Sequence, residues 1–443
     1  MVFKISVVLK ISVVLFSREH VCRDLRKGVS MLRKFLCLSI AVITVCLSTP
    51  ASSQDPIRME TDIRLRWEHR TPFPADDVTR GFSRTRMSFF TEFNDLIQFQ
   101  MTVRDSRFLL SGADESEVTD TPQMQVLSFE IDDVSRIHSY LDFMAGWNLK
   151  FGAMDLPTYN RGRIIHADEW SNLGPTTSGG YRLQRSLLDD ALDINFHHLT
   201  ISRDLTDANN VGEYALGLHV EMNELPFVEA SAFLWKYRAD QSNADSASAS
   251  GNADPGSTKE DTYGMALNLR EGLIENLSLS VEYALQDGDR YSSEVDAIQR
   301  LDSLYYAIEG EYDLPPQEGI WDLDLVVGHI RATGTSSGAT RNEAFLSPFG
   351  TPHGTHGIAD IIDNSNVKNT YFGVRTRAFD TDWQITYHEL RADQGEDWGD
   401  ELDIVAEHTW GDLEVEYGAA KFISTNGALE TTTFFYAQSY WNF

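Results

Sequence analysis

Residues 57–68 alternate without a break. Ile57, Met59, Thr61, Ile63, Leu65 and Trp67 fall on one face, and Arg58, Glu60, Asp62, Arg64, Arg66 and Glu68 on the other. A period of two sustained this long is a β-strand with one apolar and one charged face. Strands in soluble sheets are mostly about half that length. A tilted strand needs about ten residues to cross a bilayer. The segment therefore reads as a membrane-crossing strand with a wet side and a greasy side.

The pattern recurs to the end of the chain. Strands are expected at 57–70, 80–94, 96–108, 134–145, 147–156, 179–186, 192–203, 212–223, 227–238, 262–271, 276–287, 303–313, 320–332, 368–379, 382–392, 401–410, 412–424 and 432–443. Their connections alternate in length. Short ones such as Asn94-Asp95, Glu224-Leu-Pro226, Asp380-Thr381 and Gly411 alternate with longer ones at 71–79, 109–133, 157–178, 204–211, 239–261, 288–302, 333–367, 393–400 and 425–431. Short periplasmic turns and long extracellular loops are the plan of a transmembrane antiparallel β-barrel. The expected fold is thus all-β, a closed barrel of about 18 strands, because a sheet in lipid cannot leave open edges. Gly, Ser, Thr, Asp and Asn dominate Asp240–Asp261 and Ala332–Asn366, and no fixed structure is expected there. The lipid face is expected to carry Ile63, Leu65, Trp67, Met87, Phe89, Phe93, Phe99, Met101, Val103, Leu323, Leu325, Val415 and Tyr417.

Residues 1–53 stand apart. Met31-Leu-Arg33-Lys34 precedes an apolar core, Phe35 to Leu47, and small residues up to Ser53, which reads as a signal peptide removed near that point. Residues 4–9 and 10–15 both spell Lys-Ile-Ser-Val-Val-Leu ahead of this complete signal, so Met31 is the expected start. The organisation is then 1–53, a misassigned start plus cleaved signal peptide, and 54–443, a single outer-membrane β-barrel. Cys22, Cys37 and Cys46 all lie in the first part. The mature chain therefore has no disulfide scaffold, no thiol chemistry and no cysteine-ligated metal. The chain's net charge of −30 argues against nucleic acid as a partner.

Charge is unevenly placed. Of 24 arginines after residue 53, 14 fall in 54–186, whereas 187–443 carries 14 basic against 45 acidic residues. Arg64, Arg66, Arg84, Arg86, Arg104 and Arg182 occupy positions expected to face the lumen. Two readings stay open: the arginines pair with carboxylates and stiffen the wall, or they form a ladder that guides an anionic solute. The connection 157–178 holds Arg161, Arg163, Asp168, Glu169 and Trp170, and its Trp170 favours an inward fold that makes a candidate constriction.

The chain ends Phe435-Tyr-Ala437-Gln-Ser439-Tyr-Trp441-Asn-Phe443. This resembles the last strand of outer-membrane proteins, where Trp441 and Phe443 would belong to the insertion signal read by the barrel-assembly machinery. The runs Gly81-Phe-Ser-Arg84-Thr-Arg86, Ile137-His-Ser-Tyr140-Leu-Asp142, Leu149-Lys-Phe151-Gly152, Tyr159-Asn-Arg161-Gly-Arg163 and Asp168-Glu169-Trp170-Ser-Asn172 resemble the alginate-export family of bacterial outer-membrane channels. The resemblance implies a monomeric 18-stranded barrel, an arginine-lined constriction, and passage of an anionic polysaccharide or small anionic solutes. It also implies a Gram-negative outer membrane, with lipid and lipopolysaccharide as the surroundings.

Other motifs lack their context. Gly334-Thr-Ser336-Ser-Gly338 matches a nucleophile elbow but sits in a Gly/Ser/Thr loop rather than between a strand and a helix. His197, His198 and His388 have no nucleophile at a consistent spacing. His353 and His356 with Asp360 and Asp363 match no metal-loop pattern. No catalytic site, metal site or cofactor is expected. The expected function is a passive channel, with a general small-solute porin as the alternative and an adhesin or hydrolase barrel behind it.

Overall fold

The computed structural model describes residues 57–443 apart from 74–75, 94, 111–121, 160, 162, 165–176, 202–212, 226, 240–257, 270–272, 293–296, 316–321, 337–338, 346, 348–352, 354 and 428. The signal-peptide reading of 1–53 lies outside the described residues, as do Asp168, Glu169 and Trp170.

Eighteen antiparallel strands form one closed sheet in which each strand pairs with its neighbours in sequence. They are β1 Arg58–Phe73, β2 Asp76–Phe93, β3 Ile97–Leu110, β4 Gln123–Ile131, β5 Asn148–Ala153, β6 Thr177–Leu187, β7 Leu192–Ile201, β8 Glu213–Leu225, β9 Val228–Ala239, β10 Thr258–Leu269, β11 Leu277–Ser292, β12 Ala297–Leu314, β13 Asp322–Ala332, β14 Val367–Ala378, β15 Thr381–Ala392, β16 Gly399–Trp410, β17 Leu413–Ser424 and β18 Thr432–Asn442. Closure comes from β18 against β1, with Trp441 opposite Ile63 and Phe435 opposite His69. Thr61 and Phe443 complete it with two backbone hydrogen bonds of 3.0 and 2.9 Å. No backbone edge is then left to the lipid, as a bilayer requires.

Alternation sorts the faces. Leu65, Trp67 and Tyr417 are exposed on the outside, while Arg64, Arg66 and Glu68 are buried within. Outer residues at β1 pair with outer residues of β2, as in Ile63 with Thr85 and Leu65 with Ser83, so one register fixes both faces.

One expected strand is wrong. Residues 134–145 form two 3₁₀ turns, Val134–Ile137 and Ser139–Met144. The least exposed side chains there, Val134, Ile137, Leu141 and Met144, recur every three or four residues, which is helical spacing. Asp133 fixes this turn by accepting hydrogen bonds from Ser135 N, Ser135 Oγ and Gly146 N. The hydroxyl and amide donors hold its carboxyl below the usual range. The missing strand, β4, lies inside the expected loop 109–133. The loops expected at 71–79 and 288–302 also shrink, because β1–β2 and β11–β12 continue their pairing almost to the tips.

The lumen is not an empty tube. After β5 the chain turns inward as a strap, whose Met154, Leu156 and Ile164 are buried. The connection between β13 and β14 also enters, with Phe345, Ile358, Ala359 and Ile362 buried. Strap and inserted loop pack on inward apolar residues of β7 to β17, including Leu199, Phe233, Trp235, Tyr305, Ile330, Leu390 and Phe422. This corrects the expectation that Ala332–Asn366 lacks fixed structure. Its isolated apolar residues, set in a polar run, are what bind it to the wall.

Candidate constriction in the barrel lumen

Cross-strand register concentrates the basic wall. Arg64 stands opposite Arg84, and Arg86 stands opposite both Asp62 on β1 and Arg104 on β3. Like charges directly opposed repel unless something intervenes. Asp62 does so, at 3.3 Å from Arg84 Nη2 and 3.0 Å from Arg86 Nε. Arg66 pairs with Glu68 at 2.7 Å and lies 5.0 Å over the Phe82 ring. Arg64 lies 5.9 Å over Tyr440. Arg104 donates to Gln123 Oε1 at 3.3 Å. Farther round the wall, Arg182 and Lys150 share Glu130, at 3.5 and 3.7 Å.

Arg64, Arg66, Arg84, Arg86 and Arg104 therefore face inward, but Arg64, Arg66, Arg84 and Arg104 are buried in the inner wall. Planar guanidiniums suit this place because they stack on rings and keep their charge when buried. Arg86 lines a cavity of about 480 Å³ with Asp62, Gln100, Gln125, Asp155 and Asn442.

The strap supplies the facing groups. It follows β5, whose next-to-last residue Gly152 has φ +123°, and a Cβ there would lie 2.1 Å from the Leu127 carbonyl oxygen of β4. Only glycine fits so close an approach at that φ. Beyond it, Tyr159 meets His197 Nε2 at 2.7 Å and stacks on His219 with ring centroids 3.8 Å apart. Arg161 and Arg163 then cross the lumen to Glu309 on β12, which also accepts from Tyr371 on β14. Ile164 of this segment is buried, and 165–176 lie outside the described residues.

Two carboxylates clasp the inserted loop. Ala359 N donates to Glu401 Oε1 at 2.9 Å, and Ile358 N donates to Asp403 Oδ2 at 3.1 Å. Gly357 beside them has φ +97°, and a Cβ would fall 2.2 Å from Glu401 Oε1. Asn369 Nδ2 donates to the Thr355 carbonyl at 2.8 Å and lies 3.3 Å from His356 Nδ1. Burial pushes His356 down to about 3, with His388 and Arg163 adding to the effect, so the ring packs uncharged. His353 pairs with Asp360 at 2.9 Å. The two histidines thus turn to different partners.

Glu309, Tyr371, Glu401 and Asp403 were not singled out from the sequence. Each is readable as an inward polar position, but its partner lies scores of residues away. In the elbow-like run, a Cβ at Gly334 would meet Asn366 Oδ1 at 1.8 Å, and Ser336 Oγ donates to Gln394 Oε1. Among the described residues, the close carboxylate group Glu311, Asp313 and Asp324 sits beside Arg375, which pairs with Glu311 at 2.8 Å.

Comparison with known proteins agrees with this architecture. The barrel is similar to Pseudomonas aeruginosa OccK9 (OpdG), with TM-score 0.59 and 12% identity over 87% of this chain and 98% of that one. It is similar to P. aeruginosa OpdK, solved with vanillate, with TM-score 0.57 and 11% identity over 87% and 98%. Acinetobacter baumannii OccAB4 gives TM-score 0.55 and 10% identity over 89% and 100%. At such identities the likeness shows the fold. No curated protein matches the chain. A family model described as alginate export matches residues 56–397, most of the barrel. The chain belongs to the alginate-export family of outer-membrane β-barrel channels.

Proposed function

We propose that this protein is a passive channel for anionic solutes, made with a signal peptide starting at Met31 and folded in the outer membrane by the barrel-assembly machinery. The observation that carries the reading is the meeting of two arginine groups in one lumen. Arg64, Arg66, Arg84, Arg86 and Arg104 line one wall, and Arg161 and Arg163 cross toward the other. Some of the carboxylates on that side already have partners: Glu309 holds the strap through Arg161 and Arg163, and Glu401 with Asp403 holds the inserted loop. A gradient supplies the direction, because no nucleotide or redox chemistry is needed for diffusion.

A general porin, in which the arginines only brace the wall, is the second reading, favoured by the ion pairs of Asp62 and Glu68. Adhesion through 333–367 fits less well, because much of that segment packs inside. The separating measurement is the reversal potential of single barrels in a planar bilayer under a salt gradient. Arg84→Glu with Arg86→Glu is expected to turn anion preference toward cations, as charged rings set selectivity in other pores. An unmoved potential would leave the bracing role alone.

A further inference from the structure

Glu309 faces inward from β12 and is 6% exposed. Three donors converge on its carboxylate. Arg163 Nη2 donates to Oε2 at 2.8 Å, Arg161 Nη1 pairs with Oε1, and Tyr371 donates its hydroxyl to Oε2. Two guanidiniums and a phenol around one carboxylate are more than wall bracing needs. Both guanidiniums come from the strap rather than from a strand. Arg161 reaches its place through a left-handed backbone, φ 58°, which a non-glycine residue adopts only when its surroundings impose it.

Beside this cradle lies a cavity of about 300 Å³. Gln384, Thr386 and His353 offer polar groups there, and Val326 and Ile330, four residues apart on β13, offer an apolar patch. Ligand pockets run from roughly 300 to 1,000 Å³, so this one suits a single small molecule rather than a length of polymer.

We infer that Arg161, Arg163 and Tyr371 form a carboxylate-binding site at the constriction, and that Glu309 occupies it as a tethered stand-in for the carboxylate of a small hydroxylated monocarboxylic acid. The inference rests on the anion-channel reading and names its substrate class. A solute places its carboxylate on the two guanidiniums, its hydroxyls toward Gln384 and Thr386, and its C–H face on the aliphatic patch. Glu309 swings aside and then returns. A tethered competitor sits at high effective concentration. It therefore keeps solute binding weak and release fast, as conduction through a binding site demands.

The test is single-channel recording of the whole mature barrel with gluconate as probe and glucose as neutral control. The wild type is expected to show brief, weak, saturable block by gluconate and none by glucose. Glu309→Gln is expected to raise gluconate affinity about tenfold and lengthen each block, because a charge-assisted competitor is gone. Glu309→Asp, which withdraws the carboxylate by one methylene, should fall between and carries the test if the Gln variant does not fold. Arg163→Gln should abolish block. Unchanged gluconate affinity in a folded Glu309 variant, with the wild type still anion-selective, would remove the site and leave the channel reading. Equal block by glucose would overturn the carboxylate assignment. Cation selectivity in the wild type would instead defeat the anion-channel reading itself.

Discussion

Replacing Glu401 and Asp403 together by alanine is expected to free residues 353–362 from the wall and raise single-channel conductance severalfold. The two carboxylates accept the Ala359 and Ile358 amides in a buried setting. A hydrogen bond contributes about 0.5–1.5 kcal/mol, and about 1.5–3 kcal/mol where the acceptor is charged. The double variant therefore loosens the loop by roughly 2–5 kcal/mol and leaves two buried N–H groups without acceptors. Release should stop near residue 347, because Phe345 remains buried against Tyr305 and Ser347 Oγ still donates to the Ile164 carbonyl. Gly357→Val attacks the same contact from the loop side and should act likewise. Conductance and proteinase K cleavage between 353 and 362, applied from the extracellular side, read the outcome. Wild-type conductance with no new cleavage would mean that apolar packing alone holds the loop.

Removing Trp441 to Phe443 is expected to lower the yield of folded barrel by more than tenfold. Trp441 pairs with Ile63 on one side and Leu413 on the other, and Phe443 exchanges two backbone hydrogen bonds with Thr61. Truncation opens both flanking strands at the seam. Each backbone group left without a partner at this rim costs about 1–3 kcal/mol, so a few suffice to approach the marginal stability of a domain. Phe443→Ala keeps the backbone and should cost far less in the purified protein. Heat-modifiable mobility after refolding in detergent measures the energetic part, and yield in cells adds recognition by the assembly machinery. A truncated chain that refolds normally in detergent would assign these residues to recognition alone.

The strands announced themselves wherever two-residue alternation ran unbroken, as in Ile57–Glu68. β4 did not, and the reason is local. Its register shifts opposite Thr102 and Val103, so Gln125 and Val126 are both buried and the alternation breaks. The following segment carried a helical spacing that a search for strands overrides. The basic wall was legible because Arg64, Arg66, Arg84, Arg86 and Arg104 hold the parity of their strands. The site was only half legible. Arg161 and Arg163 stood out in a charged connection, but Glu309 is some 150 positions away in sequence, and only barrel closure brings it across. The inserted loop was missed because its composition is that of an outer loop, and the buried apolar side chains that pin it, Phe345, Ile358, Ala359 and Ile362 among the described residues, are too sparse to form a period.

The apolar filling of the lumen has a consequence before the protein ever conducts. Strands that line a wet pore need be greasy on one side only. Here β7, β9 and β15 carry Leu199, Phe233, Trp235 and Leu390 on the side that alternation reserves for water. These residues find their partners only after the ring has closed and the strap and loop have entered. Until then the unclosed chain presents greasy surface on both sides of several strands to water, the condition under which unpaired strands aggregate. Before closure such a chain is therefore expected to aggregate more readily than an open porin of the same length.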